Sequence, residues 1–212
     1  MADLEFFFDP VCPWAWITSR WATEVQGHRG LDVVWRFASL AIINEESDAD
    51  NLDEDKRAIF ASGLAALRVM DEVRLRHSND EVAALYTEVG MLAHRDQRRS
   101  ELVADPVGFL KEVLGRASLP IEYAAEALNV AHDEAIREST ELALERTGRG
   151  VGTPILTFRP GRPDEGSFFG PVIATIPRGE VAVRLWDAVE LVATTGGMIE
   201  LKRVNKAKPR FD

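Results

Sequence analysis

Cysteine is almost missing from these 212 residues: Cys12 is the only one. One thiol excludes an intramolecular disulfide, and an unpaired thiol suits a reducing compartment. Lysine is also scarce, 5 against 20 arginines, as in chains from GC-rich genomes. Positive charge is in deficit, with a net charge of −10. That balance argues against nucleic acid or anionic lipid as a partner, since both call for a basic surface. No apolar run approaches the ~20 residues needed to cross a bilayer. The opening MADLEFFFDP has acids where a signal peptide would carry positive charge, so the expectation is a cytoplasmic protein with no membrane partner. There is no Walker motif and no GxGxxG, and GSFFG is not a phosphate-cradling loop. His28, His77, His94 and His132 show no ligand spacing with Cys12, so neither a metal site nor a tightly bound cofactor is expected.

The rest of the composition, 46% hydrophobic and 28% charged, is that of a globular domain long enough to bury a core. LEFFFDP, Leu4 to Pro10, is short, apolar and aromatic, which predicts a buried strand stopped by Asp9-Pro10. Pro13 suits the first turn of a helix, and Trp14, Ile17, Trp21 and Val25 then recur at helical spacing up to a stop at Gly27 to Gly30. Leu31 to Leu40 alternates Val33, Trp35 and Phe37 as a second strand, so the three elements form a parallel βαβ unit. An acidic connection, EESDADNLDED, leads into helical periodicity from about Leu52 to Arg146, with Asp80 and Asp105-Pro106 as caps for two of the helices. PIEYAAEALN is expected to be one of those helices. Strand character returns at VGTPILTFRP, pairs across a long loop with FFGPV, and gives way to a last amphipathic helix ending before Gly196-Gly197. The domain division is therefore 1–44 and 149–212 as the two parts of a mixed α/β layer, with 45–148 as an all-helical insertion.

Two short stretches carry the chemistry. Cys12 sits between a strand end and a proline-led helix start, where unpaired N–H groups and the helix dipole favour thiolate, the reactive form. A buried cysteine is otherwise most often an inert small core residue. Pro154 in VGTPIL opens a strand in which it cannot donate to the ladder, so it must lie at an edge or mark an unusual peptide.

Taken in order, DPVCPWAW, the helical insertion, VGTP, FFGPVIATIPRGE and the ELKR…FD ending resemble the DsbA branch of the thioredoxin superfamily. They come closest to actinobacterial mycothiol-dependent oxidoreductases, some described as nitroreductases. The resemblance covers nearly the whole chain and implies a thioredoxin-like fold with an inserted helical domain. It implies that Cys12 is the nucleophile and Pro154 a cis-proline facing it. Pro13 would set the helix start, with Trp14 beside the thiol and Trp16 packed inward. Thr153 would offer its backbone N–H and C=O to an extended thiol-bearing substrate. A low-mass thiol, mycothiol or glutathione, would be co-substrate.

The departure lies at Ala15, where the family pattern has the resolving cysteine that releases substrate from a mixed disulfide. One thiol can still exchange with small disulfides or protein mixed disulfides if an external thiol clears the adduct. Two-electron reduction through an internal disulfide is excluded, so nitroreductase activity is not carried over. Kappa-type glutathione transferases and chromene-carboxylate isomerases share this architecture but activate a bound thiol cofactor, and form the alternative. A redox-inactive binding protein is the third reading. RDQRRSE, Arg95 to Glu101, is expected to be a solvated helix end.

Overall fold

The computed structural model describes residues 2–45, 53–203 and 207–211; most of the acidic connection expected over 45–55 lies outside the described residues. β1 (Leu4–Phe8) is buried at every position, and it forms the centre of a four-stranded sheet. It runs parallel to β2 (Val33–Phe37) and antiparallel to β3 (Ile155–Phe158), which pairs antiparallel with β4 (Gly166–Phe169), giving the order β2-β1-β3-β4. The mixed α/β, thioredoxin-like sheet expected from the sequence is therefore present. One boundary moves: the partner strand is GSFF rather than FFGPV. Pro171 has no N–H to continue the ladder, so the chain leaves the sheet after Phe169.

Successive side chains of a strand point to opposite faces, which sorts the core into two layers. Leu4, Phe6 and Phe8 join Trp35, Leu156 and Phe158 on one face. That face is covered by α1 (Pro13–Arg29) and α8 (Gly179–Thr194). Trp21 and Trp186 meet there at 5.2 Å between ring centroids, and the Trp21 indole N–H donates to the Ala182 carbonyl at 2.9 Å. Phe7 faces the other way, packing with Ile155 and with Ala143 of α7 (Asp133–Thr147). Helix α1 starts with Pro13 and ends at Gly30, whose φ of +64° is the left-handed conformation a helix stop asks of glycine.

Between β2 and β3 come α2 (Leu40–Ile43), α3 (Glu54–Arg76), α4 (Asn79–Gly90), α5 (Arg99–Ala104), α6 (Pro106–Arg116) and then α7. Asp105 caps α6 as expected, accepting from the Gly108 N–H at 2.9 Å. Asp80 does not cap α4. Ser78 does, because Ser78 and Glu81 form a reciprocal capping box that leaves Asp80 inside the first turn. PIEYAAEALN is not an α-helix but a 3-10 segment, Ile121–Leu128, followed by a shorter one at Val130–His132. After α4 the backbone widens into a π-type turn, Met91–Arg95, a feature often found at functional sites. Among the described residues no helix is long and apolar enough to cross a membrane.

Candidate functional site

The loop leaving β1 is built by one carboxyl group. Asp9 is fully buried and accepts from its own loop, at Val11 N–H (2.9 Å), and from the start of α2, at Leu40 N–H (2.7 Å). The Cys12 N–H closes a turn onto the Asp9 carbonyl at 3.1 Å. Cys12 thereby becomes the N-cap of α1, with Pro13 in the first turn and no acidic side chain there to repel a thiolate. Its sulfur accepts from the Ala15 N–H at 3.4 Å, so the residue at which the resemblance leads us to expect a second cysteine contributes only a backbone donor. Trp14 is half-buried beside this turn, whereas Trp16 is buried against Tyr86 and Gly90.

The opposite wall comes from 141 residues further along the chain. The Thr153-Pro154 peptide is cis, and the Cys12 S–H donates to the Thr153 carbonyl at 3.4 Å. The Thr153 hydroxyl is buried and has no hydrogen-bond partner among the described residues. Burial pushes the Cys12 thiol above its ordinary pKa. The Thr153 side chain and the Ala15 and Trp14 N–H groups pull it back down, while charge on Asp9 adds to the push. The expectation of a lowered thiol pKa from helix position alone is thus reversed in this closed arrangement. At 5% exposure, loss of solvation outweighs the helix N-terminus.

A cleft of about 600 Å³ opens beside Pro13, lined by Ile59, His94, Arg99, Ser100 and Phe211 among others. His94 sits on the π-type turn, and its Nε2–H donates to the Pro10 carbonyl at 2.8 Å, tying the helical block to the cysteine loop. Burial lowers its pKa to about 4, and Phe211 stacks on its ring at 5.8 Å. Asp9 is held the other way: burial raises its pKa to about 7, against the two N–H donors.

The sequence pattern pointed to Cys12, Pro13, Trp14, Ala15, Thr153 and Pro154, and the fold gathers them at one end of the sheet. It did not point to Asp9, His94, Phe211 or the Thr153 hydroxyl. RDQRRSE is not merely a solvated helix end, since Gln97, Arg99 and Ser100 line the cleft. Arg98, half-buried, bridges Glu101 and Glu112. Among the described residues no group of acids, histidines and cysteine could hold a metal ion.

A cysteine at a helix N-cap at the end of the central strands, on a thioredoxin-like fold, defines a thiol-dependent oxidoreductase. The chain belongs to the Rv2466c-like family, described as mycothiol-dependent nitroreductase Rv2466c, whose model matches residues 11–203. It is 27% identical over 208 residues to the uncharacterized protein Rv2286c of Mycobacterium tuberculosis (strain ATCC 25618 / H37Rv), covering 96% of this chain and 82% of that protein. In fold it is similar to a crystal structure from Nitrosomonas europaea provisionally described as a protein disulfide isomerase. The TM-score is 0.57 at 16% identity, over 89% of this chain and 96% of that one.

Proposed function

We propose that this protein is a monothiol exchange enzyme in which Cys12 is the nucleophile and a low-mass thiol, mycothiol in keeping with its family, is the co-substrate. The Cys12 thiolate attacks a mixed disulfide, forming a new S–S bond to one sulfur and expelling the other as a thiolate, which takes up a proton. A second thiol molecule then attacks the outer sulfur of the adduct and restores Cys12. The net change converts one mixed disulfide and one free thiol into a symmetrical disulfide and a different free thiol. Exchange of this kind suits a reducing, cytoplasmic setting, with small disulfides and protein mixed disulfides as partners.

The observation that carries this reading is Ala15, a buried residue that meets the sulfur with only an N–H. With the sulfur covered and its pKa raised, the cycle needs the thiol to open toward the cleft, where charge can be solvated. Thr153 and Pro154 supply the wall; the unpartnered Thr153 hydroxyl and the Ala15 N–H are the donors ready for the thiolate. Pro13 and Trp14 border the approach.

Intact mass after incubation with mycothiol disulfide tests this directly. One thiol adduct per chain is expected, removed by excess free thiol and lost in Cys12→Ser. Absence of an adduct on unmodified protein overturns the reading. Ala15→Cys should give an internal disulfide, 2 Da lighter than the dithiol, in place of the persisting adduct. The Cys12 S–H also points at an acceptor oxygen, which favours one second reading: a transferase in which Cys12 donates to a bound cofactor's sulfur. Conjugation to a nitroaromatic acceptor that survives Cys12→Ser would select that reading.

A further inference from the structure

Arg20 lies on α1 two turns beyond the cysteine, about 12 Å along the axis at 1.5 Å per residue. Its guanidinium stacks on the Trp16 ring at 4.2 Å. Nε donates to the Ser19 hydroxyl at 3.2 Å and Nη1 to the Thr87 hydroxyl at 2.9 Å. Both partners are neutral, and among the described residues Arg20 has no carboxylate partner. Its natural one would be Glu24, four residues on along the same helix face. Glu24 is engaged elsewhere: it accepts from Arg178 at 3.0 Å, from the Gly179 N–H at the start of α8 at 3.0 Å, and faces His28 at 3.4 Å. A partly buried cation is left without its counter-charge. Burial and the neighbouring Arg178 accordingly lower its pKa to about 10, while Tyr86 acts the other way.

This side chain is not wholly enclosed by protein, since it also borders open space. It lines a cleft of about 330 Å³ together with Thr23, Glu24, Gly27, His28 and Arg178. A Cβ at Gly27 would meet nothing within 4 Å, so the cleft is open to solvent on that side. Two arginines against one ionised glutamate leave the cleft with one net positive charge in a chain whose total is −10.

We propose that this cleft is a second ligand site, in which Arg20 binds the carboxylate or phosphate group of a small molecule. The guanidinium fork matches either oxyanion with paired N–H donors, and Nη2, which has no protein partner among the described residues, is free to make them. The Trp16 ring fixes the plane of the fork, as an arginine stacked on an aromatic is held for recognition. Trp16 packs in turn against Tyr86 and His94, so one buried ring contacts both Arg20 of this cleft and His94 of the cleft beside Pro13. The proposal does not depend on the thiol chemistry, since no part of this site includes Cys12.

The test is a thermal-shift and tryptophan-fluorescence titration with inorganic phosphate and, separately, acetate, each at constant ionic strength against chloride. The expected result is a saturable rise in Tm with at least one of them, and the better anion identifies the class. Arg20→Gln should weaken that binding roughly tenfold or more, as expected for loss of a charged donor. Arg20→Lys should retain part of it. Glu24→Gln, which removes the one acid in the cleft, should bind severalfold more tightly, and this variant decides the matter if Arg20→Gln does not fold. No saturable response to either anion, a response unchanged in Arg20→Gln, or an unchanged affinity in Glu24→Gln would overturn the proposal.

Discussion

Two carboxyl groups lie buried four residues apart on one stretch of chain, and they are held in opposite ways. Glu5, the second residue of β1, meets two arginines: Arg36 on β2, with Nε at 2.5 Å, and Arg146 on α7. Asp9, just past the end of the same strand, meets no cation among the described residues, and its donors there are backbone N–H groups. The first arrangement fastens sheet to helix through charge. The second leaves a buried carboxyl with a raised pKa beside the Cys12 turn, joining the loop of Cys12 to the start of α2. Burial alone does not say what an acid is for; the presence or absence of a cation beside it does.

Breaking the paired acid should have the largest effect. Glu5→Ala leaves two arginines facing an empty site and should lower unfolding free energy in urea by about 3 kcal/mol. Thiol exchange by the folded fraction should be unchanged. A loss below ~1 kcal/mol would mean that water already solvates those arginines, as in an exposed ion pair.

The unpaired acid is sharpened by pH. The folded pKa of Asp9 is raised to about 7, so its contribution is complete at low pH and is lost as pH rises from near 4 through 7. His94, lowered to about 4, contributes fully above about 6.5 and loses it as pH falls toward 4. Between these limits the two slopes oppose each other. Asp9→Asn should therefore make stability fall on acidification, and His94→Gln should make it fall on alkalinisation. Each slope should approach about 1.4 kcal/mol per pH unit in urea unfolding across pH 4 to 6.5. Two flat profiles would show that neither group titrates as its burial demands. Asp9→Asn should also lower the pH at which iodoacetamide alkylates Cys12, because a charge that opposes the thiolate is gone.

The smallest effect concerns packing around Asp9. A Cβ at position 63 would stand 2.7 Å from the Asp9 carboxylate and 2.9 Å from the Val11 side chain. Gly63→Ala should cost roughly 1–2 kcal/mol in thermal or urea unfolding and loosen the cysteine loop, seen as faster alkylation of Cys12. Unchanged alkylation would separate the loop from that contact.

Much of the fold was legible because its signals are local. Pro13, Gly30 and the alternation of Val33, Trp35 and Phe37 mark their elements without help from distant residues, and β1 and α1 follow. Local signals also mislead where two compete. Asp80 looks like a cap, but Ser78 with Glu81 satisfies two N–H groups at once and wins. The second strand of the hairpin shifted by two residues because Phe168 and Phe169 draw attention to a run that Pro171 cannot continue. At the site, Cys12 and the Thr153-Pro154 pair were legible as motifs. Asp9 read only as a breaker, since nothing in its neighbours announces that Leu40 will come to it. His94 and Phe211 acquire meaning only when the π-type turn and the last described residues meet beside Pro13. The direction of the thiol's pKa failed for the same reason. Helix position is written in sequence; the weight of protein over the sulfur is not.

With one cysteine, the chain has a valence of one in disulfide chemistry. Oxidation in a crowded or ageing sample can end in a capped monomer or, if two chains meet through Cys12, in a pair. It cannot propagate further, because neither product keeps a thiol with which to extend a chain of bonds. Any covalent growth beyond two would have to come from other chemistry, and a thiol titration of this protein counts molecules directly, one thiol to each.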